Sequence, residues 1–194
     1  MNFLAHAFLS GDDPDLLLGN FIADSVKGKQ LDLYTPAVAN GIRLHRLIDT
    51  FTDTHEVVGE TKARLRPKYK KFAPVIADMY YDHFLASRFE RFGKESLQVY
   101  TQWVYAIIQK SFDLLPERMQ HIFPHMMQHD WLSGYAQLEG LNRALTGMSR
   151  RASFVSGMET AALELQENYS LYAAEFEDFF PELILYAEKE RQNL

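Results

Sequence analysis

Hydrophobic positions along the chain recur every three or four residues, and period-two alternation rarely persists, so the sequence predicts helices rather than strands. The segment TPAVANGIRLHRLIDTFTDT offers Thr35 as N-cap, Pro36 at the first helical position, and apolar residues at Val38, Ile42, Leu44, Ile48 and Phe51. A second segment, APVIADMYYDHFLASRFERFG, opens around Pro74, keeps the same spacing and stops at Gly93. Further helices are predicted over roughly 95–111, 116–128, 131–147, 150–167 and 169–191. Pro116 suits a first turn, whereas Pro181 should kink or restart the last helix. A loop-rich stretch at 10–35 would follow the first helix. The prediction is one all-α domain over residues 1–194, a bundle of seven or eight helices.

Several polar residues interrupt this pattern. Between Gly41 and His55, the residues His45, Asp49 and Asp53 follow at steps of four, a stripe that drifts by only about 40° per step. His45 and Asp49 can converge on one point, where a metal ion would want both an imidazole and a carboxylate. A solvated polar stripe or a simple His–Asp pair is the plain alternative. In MYYDHFL, Asp82 and His83 stand among Met79, Tyr80, Phe84 and Leu85, where an uncompensated charge costs several kcal/mol. A divalent cation would compensate them, as would a hydrogen bond locking two helices. His6 in NFLAHAFL and Asp24 in GNFIADSVKG are likewise set among apolar neighbours. Their plain readings are a satisfied core histidine and an N-cap. His121, His125 and His129 repeat at i,i+4 like a zinc stripe, but Pro124 should break their register and no buried carboxylate accompanies them.

Composition narrows the chemistry. The chain has no cysteine, which excludes disulfides and thiolate sites, so any metal must be held by His, Asp or Glu. Such mixed ligands suit manganese, iron or zinc better than calcium. The net charge of −6 argues against general nucleic-acid binding. Locally, however, Thr61–Ala77 holds Lys62, Arg64, Arg66, Lys68, Lys70 and Lys71 without one acid. That run implies an anionic partner (RNA, a phosphorylated metabolite or an acidic protein) or else a solvated helix face. The N-terminus lacks the basic region of a secretory signal and no apolar run is long enough for a membrane span, so a cytoplasmic protein is expected.

The motifs MNFLAH, GNFIAD, GIRLHRLIDTFTD and DMYYDHFL, in this order, with GMSRRASF and FFPEL further on, resemble the bacterial acyl carrier protein phosphodiesterase family. The resemblance implies an enzyme of lipid metabolism and fatty acid biosynthesis. It would hydrolyse the phosphodiester between 4′-phosphopantetheine and a serine of acyl carrier protein, releasing apo carrier protein. It also implies an HD-domain-like helical fold and a preference for manganese, although this sequence has no His-Asp dipeptide, only the inverted Asp82-His83. On that basis His6, Asp24, His45, Asp82 and His83 are expected as metal ligands, and Asp49 as a ligand or an orienter of one. Asp53 would position a ligand or accept a proton from the attacking water, and Arg46 would clamp phosphate. Arg64, Arg66, Lys68, Lys70 and Lys71 would dock the acidic carrier, and Tyr80, Tyr81, Phe84 and Phe89 would line a groove for its arm. Two other readings compete: a helical metal phosphohydrolase acting on a small nucleotide or phosphoester, and a non-enzymatic helical module binding an acidic partner. A carboxylate di-iron bundle would need paired Glu-x-x-His motifs, which are missing.

Overall fold

In the computed structural model, which describes residues 1–194, every regular element is helical. The order is α1 (Phe3–Leu9), α2 (Pro14–Ile22), α3 (Pro36–Thr54), α4 (Glu56–Tyr69), α5 (Ala73–Ser87), α6 (Leu97–Lys110), α7 (Glu117–Gln128), α8 (Trp131–Gly134), α9 (Leu138–Arg151), α10 (Ala161–Glu167) and α11 (Tyr169–Asn193). The eleven helices exceed the expected seven or eight for local reasons. The stretch expected as loop holds α2, whose first two free N–H groups, of Asp15 and Leu16, donate to the Asp13 carboxylate with Pro14 at the first position. The segment 131–147 divides into α8 and α9, and α9 runs on to Arg151 before the chain leaves helix and turns at Gly157 with φ +71°. Pro124 and Pro181 lie inside α7 and α11 without ending them. Both face solvent, where water takes up the carbonyl that loses its N–H donor. No helix is long and apolar enough to cross a membrane.

The core forms around α5, which is buried on all sides from Met79 to Ala86. Aromatic side chains of α11 pack against it: Phe176 lies 5.6 Å from Phe84, and Phe179 lies 5.3 Å from Tyr81, centroid to centroid. This corrects the expected groove lining. Tyr80, Tyr81, Phe84 and Phe89 are all interior. Tyr80 donates its hydroxyl to the Ala161 carbonyl at 2.6 Å, and Tyr81 shares a hydrogen bond with Thr61 at 2.7 Å.

One helix crossing positions the functional residues. α2 and α3 meet at Gly19 and Gly41, backbone against backbone. A Cβ on Gly19 would stand 2.0 Å from the Val38 carbonyl oxygen, and one on Gly41 would stand 2.3 Å from that of Leu16. Only glycine permits this approach. It brings Asn20, one residue beyond Gly19, into hydrogen-bond reach of His45, one turn beyond Gly41.

Candidate metal centre

α1 contributes His6 and α3 contributes His45 and Asp49, with ligand atoms that all lie within 4.8 Å of one another. His6 Nε2 is 3.1 Å from Asp49 Oδ1, and His45 Nε2 is 3.1 Å from Asp49 Oδ2. Asp24, in the 3-10 turn after α2, brings Oδ1 to 3.3 Å from His45 Nε2. The imidazoles are buried and stack at 3.8 Å. The Asp49 side chain is 40% exposed and that of Asp24 77%, so the carboxylates open the centre to solvent.

The hydrogen bonds of His45 fix its tautomer. Its Nδ1 faces two acceptors, the Asn20 carbonyl oxygen at 2.9 Å and the Asn20 side-chain oxygen at 3.1 Å. The amide orientation is set independently, because Asn20 Nδ2 donates to the His6 carbonyl at 2.9 Å and to Ser10 Oγ at 3.0 Å. Nδ1 must therefore carry a proton. Nε2 then meets two carboxylates, and a bare lone pair there would be repelled, so the position calls for a proton or a cation. In the metal-free protein a proton serves. Burial opposes charge on His45 most strongly, but Asp24 and Asp49 together outweigh it and raise the pKa to about 9. Burial and the neighbouring His45 lower His6 to about 4. Burial works to raise Asp49, yet the two histidines hold it well below the usual carboxylate range, and His45 lowers Asp24. A buried His6 Nδ1 without a hydrogen-bond partner completes the picture. Two imidazole nitrogens and the Asp49 carboxylate lie close enough together to share a divalent cation, and the Asp24 carboxylate reaches the same His45 nitrogen.

Other expected site residues lie elsewhere. The Asp82 carboxylate accepts from the backbone N–H groups of Leu4 at 2.9 Å, Ala5 at 3.2 Å and Asn2 at 3.3 Å. It caps the start of α1, and burial pushes its pKa up to about 7. His83 bonds to the Tyr135 carbonyl oxygen at 2.7 Å and the Tyr169 hydroxyl at 3.1 Å. Neither joins the metal-type group. Asp53 points to Lys62 Nζ at 2.6 Å rather than to the centre. Arg46 is exposed on α3 beside His45. His121, His125 and His129 form no such group either. In the basic run, Lys62, Arg64 and Lys68 are neutralised by Asp53, Glu175 and Glu164, whereas Arg66, Lys70 and Lys71 have no acidic partner.

Sequence reasoning missed Asn20 and Asp78. Asn20 is fully buried, and its signal was its place in GNFIAD, one residue after a glycine that has no loop to serve. Asp78 lies 3.1 Å from the Met1 nitrogen, which is itself 3.6 Å from Asp49. A groove of about 800 Å³ adjoins the centre, with Asp24 and Asp78 among its lining residues.

Residues 1–183 match the family model described as acyl carrier protein phosphodiesterase. The acyl carrier protein phosphodiesterase of Serratia proteamaculans is 32% identical over 193 residues, 99% of this chain and 100% of the relative. That of Photorhabdus laumondii is 32% identical over 97% of this chain and 96% of the relative, and that of Yersinia enterocolitica 30% identical over 97% and 98%. No solved structure matches.

Proposed function

The chain belongs to the acyl carrier protein phosphodiesterase family, a family of hydrolases, and from that premise we propose that it removes 4′-phosphopantetheine from holo acyl carrier protein in the cytoplasm. The supporting observation is the wiring of His45: a proton fixed on Nδ1 by Asn20, and Nε2 turned toward Asp24 and Asp49. His6, His45, Asp49 and Asp24 would hold a divalent cation, manganese first and iron or zinc next. A bound cation supplies charge neutralisation at the phosphoryl group and a water acidic enough to attack at neutral pH.

The protein groups then have separate tasks. The water oxygen bonds to phosphorus and the bond from phosphorus to the carrier's serine oxygen breaks. Asp24 touches the protein through Oδ1, leaving Oδ2 to accept the proton that the water loses. The serine oxygen leaves with a proton from solvent, which the exposed carboxylates admit. Arg46 takes a phosphoryl oxygen that becomes more negative as the bond breaks. Arg66, Lys70 and Lys71, the part of the basic run without acidic partners, attract the acidic carrier.

Mass spectrometry of holo acyl carrier protein after incubation with this protein tests the reading. Loss of the prosthetic group is expected with manganese, and not with chelator or with His45→Ala. A folded, metal-loaded protein that leaves the carrier intact would overturn the substrate.

A further inference from the structure

The groove beside Asp24 has walls of definite length. One face of α9, with Gly140, Arg143, Ala144, Gly147, Met148 and Arg151 at three- and four-residue spacing, forms one wall. At 1.5 Å per residue that face is about 16 Å long. Phe72, Val75 and Asp78 line it from α5 and the turn before it, and Met119 and Ile122 line it from α7. Its volume, about 800 Å³, lies within the roughly 300–1,000 Å³ of small-molecule sites. The walls are mostly apolar. Arg118, Arg143 and Arg151 supply positive charge at exposed positions. Arg143 meets only Glu139, at 3.3 Å, and the other two have no acidic partner.

We infer that this groove holds the pantetheine arm of the carrier protein, and that Gly147 is the clearance the arm needs to pass α9. The inference rests on the function proposed above. From phosphorus to sulfur the arm counts about thirteen bonds, the reach of four to five extended residues, or roughly 15 Å. That length matches the α9 wall, and Asp24 belongs both to the metal centre and to the groove, so a phosphodiester held at the centre directs its arm along the walls. Beyond its phosphate the arm is uncharged, with a dimethyl-bearing carbon that suits the apolar walls and two amides whose oxygens accept from arginine.

The two α9 glycines differ in kind. A Cβ on Gly140 would strike the Gly134 carbonyl oxygen at 2.0 Å, so packing requires that glycine. A Cβ on Gly147 would meet only the end of the Arg151 side chain, at 3.4 Å, so its neighbours in the fold do not demand it. The space above it belongs to the groove.

Gly147→Leu fills that space, and Gly59→Leu is the matched control, since Gly59 is an exposed helical glycine on α4 with nothing within 4 Å of its would-be Cβ. Both variants should melt at or above the wild type, because leucine replaces helical glycine. For Gly147→Leu, kcat/KM on holo acyl carrier protein should fall about tenfold or more, mainly through KM, as remote substrate binding is lost. Gly59→Leu should match the wild type. Calorimetry with pantetheine, which carries no phosphate, should show binding to wild type and Gly59→Leu and at least about tenfold weaker binding to Gly147→Leu. Equal pantetheine binding by both variants, or none by wild type, would overturn the inference. If pantetheine binds in a Gly147-dependent way while wild type leaves the carrier intact, the groove stands and the proposed reaction falls.

Discussion

His45 Nδ1 stands 2.9 Å from the backbone oxygen of Asn20 and 3.1 Å from its side-chain oxygen, so one buried asparagine fixes the proton of the central imidazole. The same side chain ties α1 to α2 through the His6 carbonyl and Ser10. Asn20→Ala should therefore weaken manganese binding by about 10–100-fold, as loss of a ligand's orienting partner generally does. It should also cost about 1–3 kcal/mol of stability, because the His6 carbonyl and Ser10 lose a buried donor. Titration calorimetry and thermal melting separate the two effects. Unchanged affinity would show that the backbone oxygen of Asn20 orients His45 alone.

Metal binding should release a proton. In the metal-free protein His45 is protonated below about pH 9, and a cation must displace the Nε2 proton. Apparent affinity should then rise by about tenfold per pH unit up to that value. Calorimetry in buffers of different ionisation enthalpy should count about one proton released per ion at neutral pH. Stability of the metal-free protein follows the same linkage. The raised pKa of His45 gives stabilisation that is complete below the ordinary value of 6.5 and is lost as pH rises through about 9. His6 acts in the opposite sense. Its pKa, lowered to about 4, means that stability falls as pH drops from 6.5 toward 4.

Asp82→Ala separates a structural carboxylate from a ligand. Its oxygens satisfy three backbone N–H groups at the start of α1, and their loss in a buried place should cost about 2–4 kcal/mol. A chain of this size loses about 2–4 °C in Tm per kcal/mol. The folded variant should still bind manganese with the wild-type stoichiometry. Loss of one ion per chain from folded Asp82→Ala would make the carboxylate a ligand after all.

These contrasts show what could be read from the sequence. The His45–Asp49 pair was legible because a step of four on one helix brings two side chains together wherever the helix packs. His6 was legible as an ionisable group among apolar neighbours, whereas Asp24, singled out on the same ground, has a side chain 77% exposed and reaches the centre through His45. The same reasoning did not foresee the partners of Asp82, because burial among apolar residues says that a carboxylate needs partners and not which ones; here they are N–H groups 77 to 80 residues away in the chain. Asn20 was missed for the complementary reason: a neutral amide has no charge whose burial must be explained, and its one signal was the glycine before it. The apolar run around Tyr80 and Phe84 marked the centre of the bundle. The groove is lined instead by one face of α9 that mixes glycine, methionine and arginine, a composition with no single signature. The helical class was plain from periodicity, but the α2–α3 crossing depends on two glycines 22 residues apart, and nothing local pairs them.

That crossing gives the last prediction. Gly41→Ala would place a methyl group 2.3 Å from the Leu16 carbonyl oxygen and 2.9 Å from the Asn20 nitrogen, both backbone atoms that cannot rotate away. The helices must separate, at a cost of at least about 1–3 kcal/mol. Separation also draws Asn20 away from His45, so manganese affinity should fall in the same direction as with Asn20→Ala. Gly59→Ala, in open space on α4, should match or exceed wild type in both stability and affinity. Calorimetry on the folded fraction decides the point. A Gly41→Ala protein that melts lower yet binds manganese as tightly as wild type would show that the α2–α3 contact supports the fold without setting the geometry of the centre.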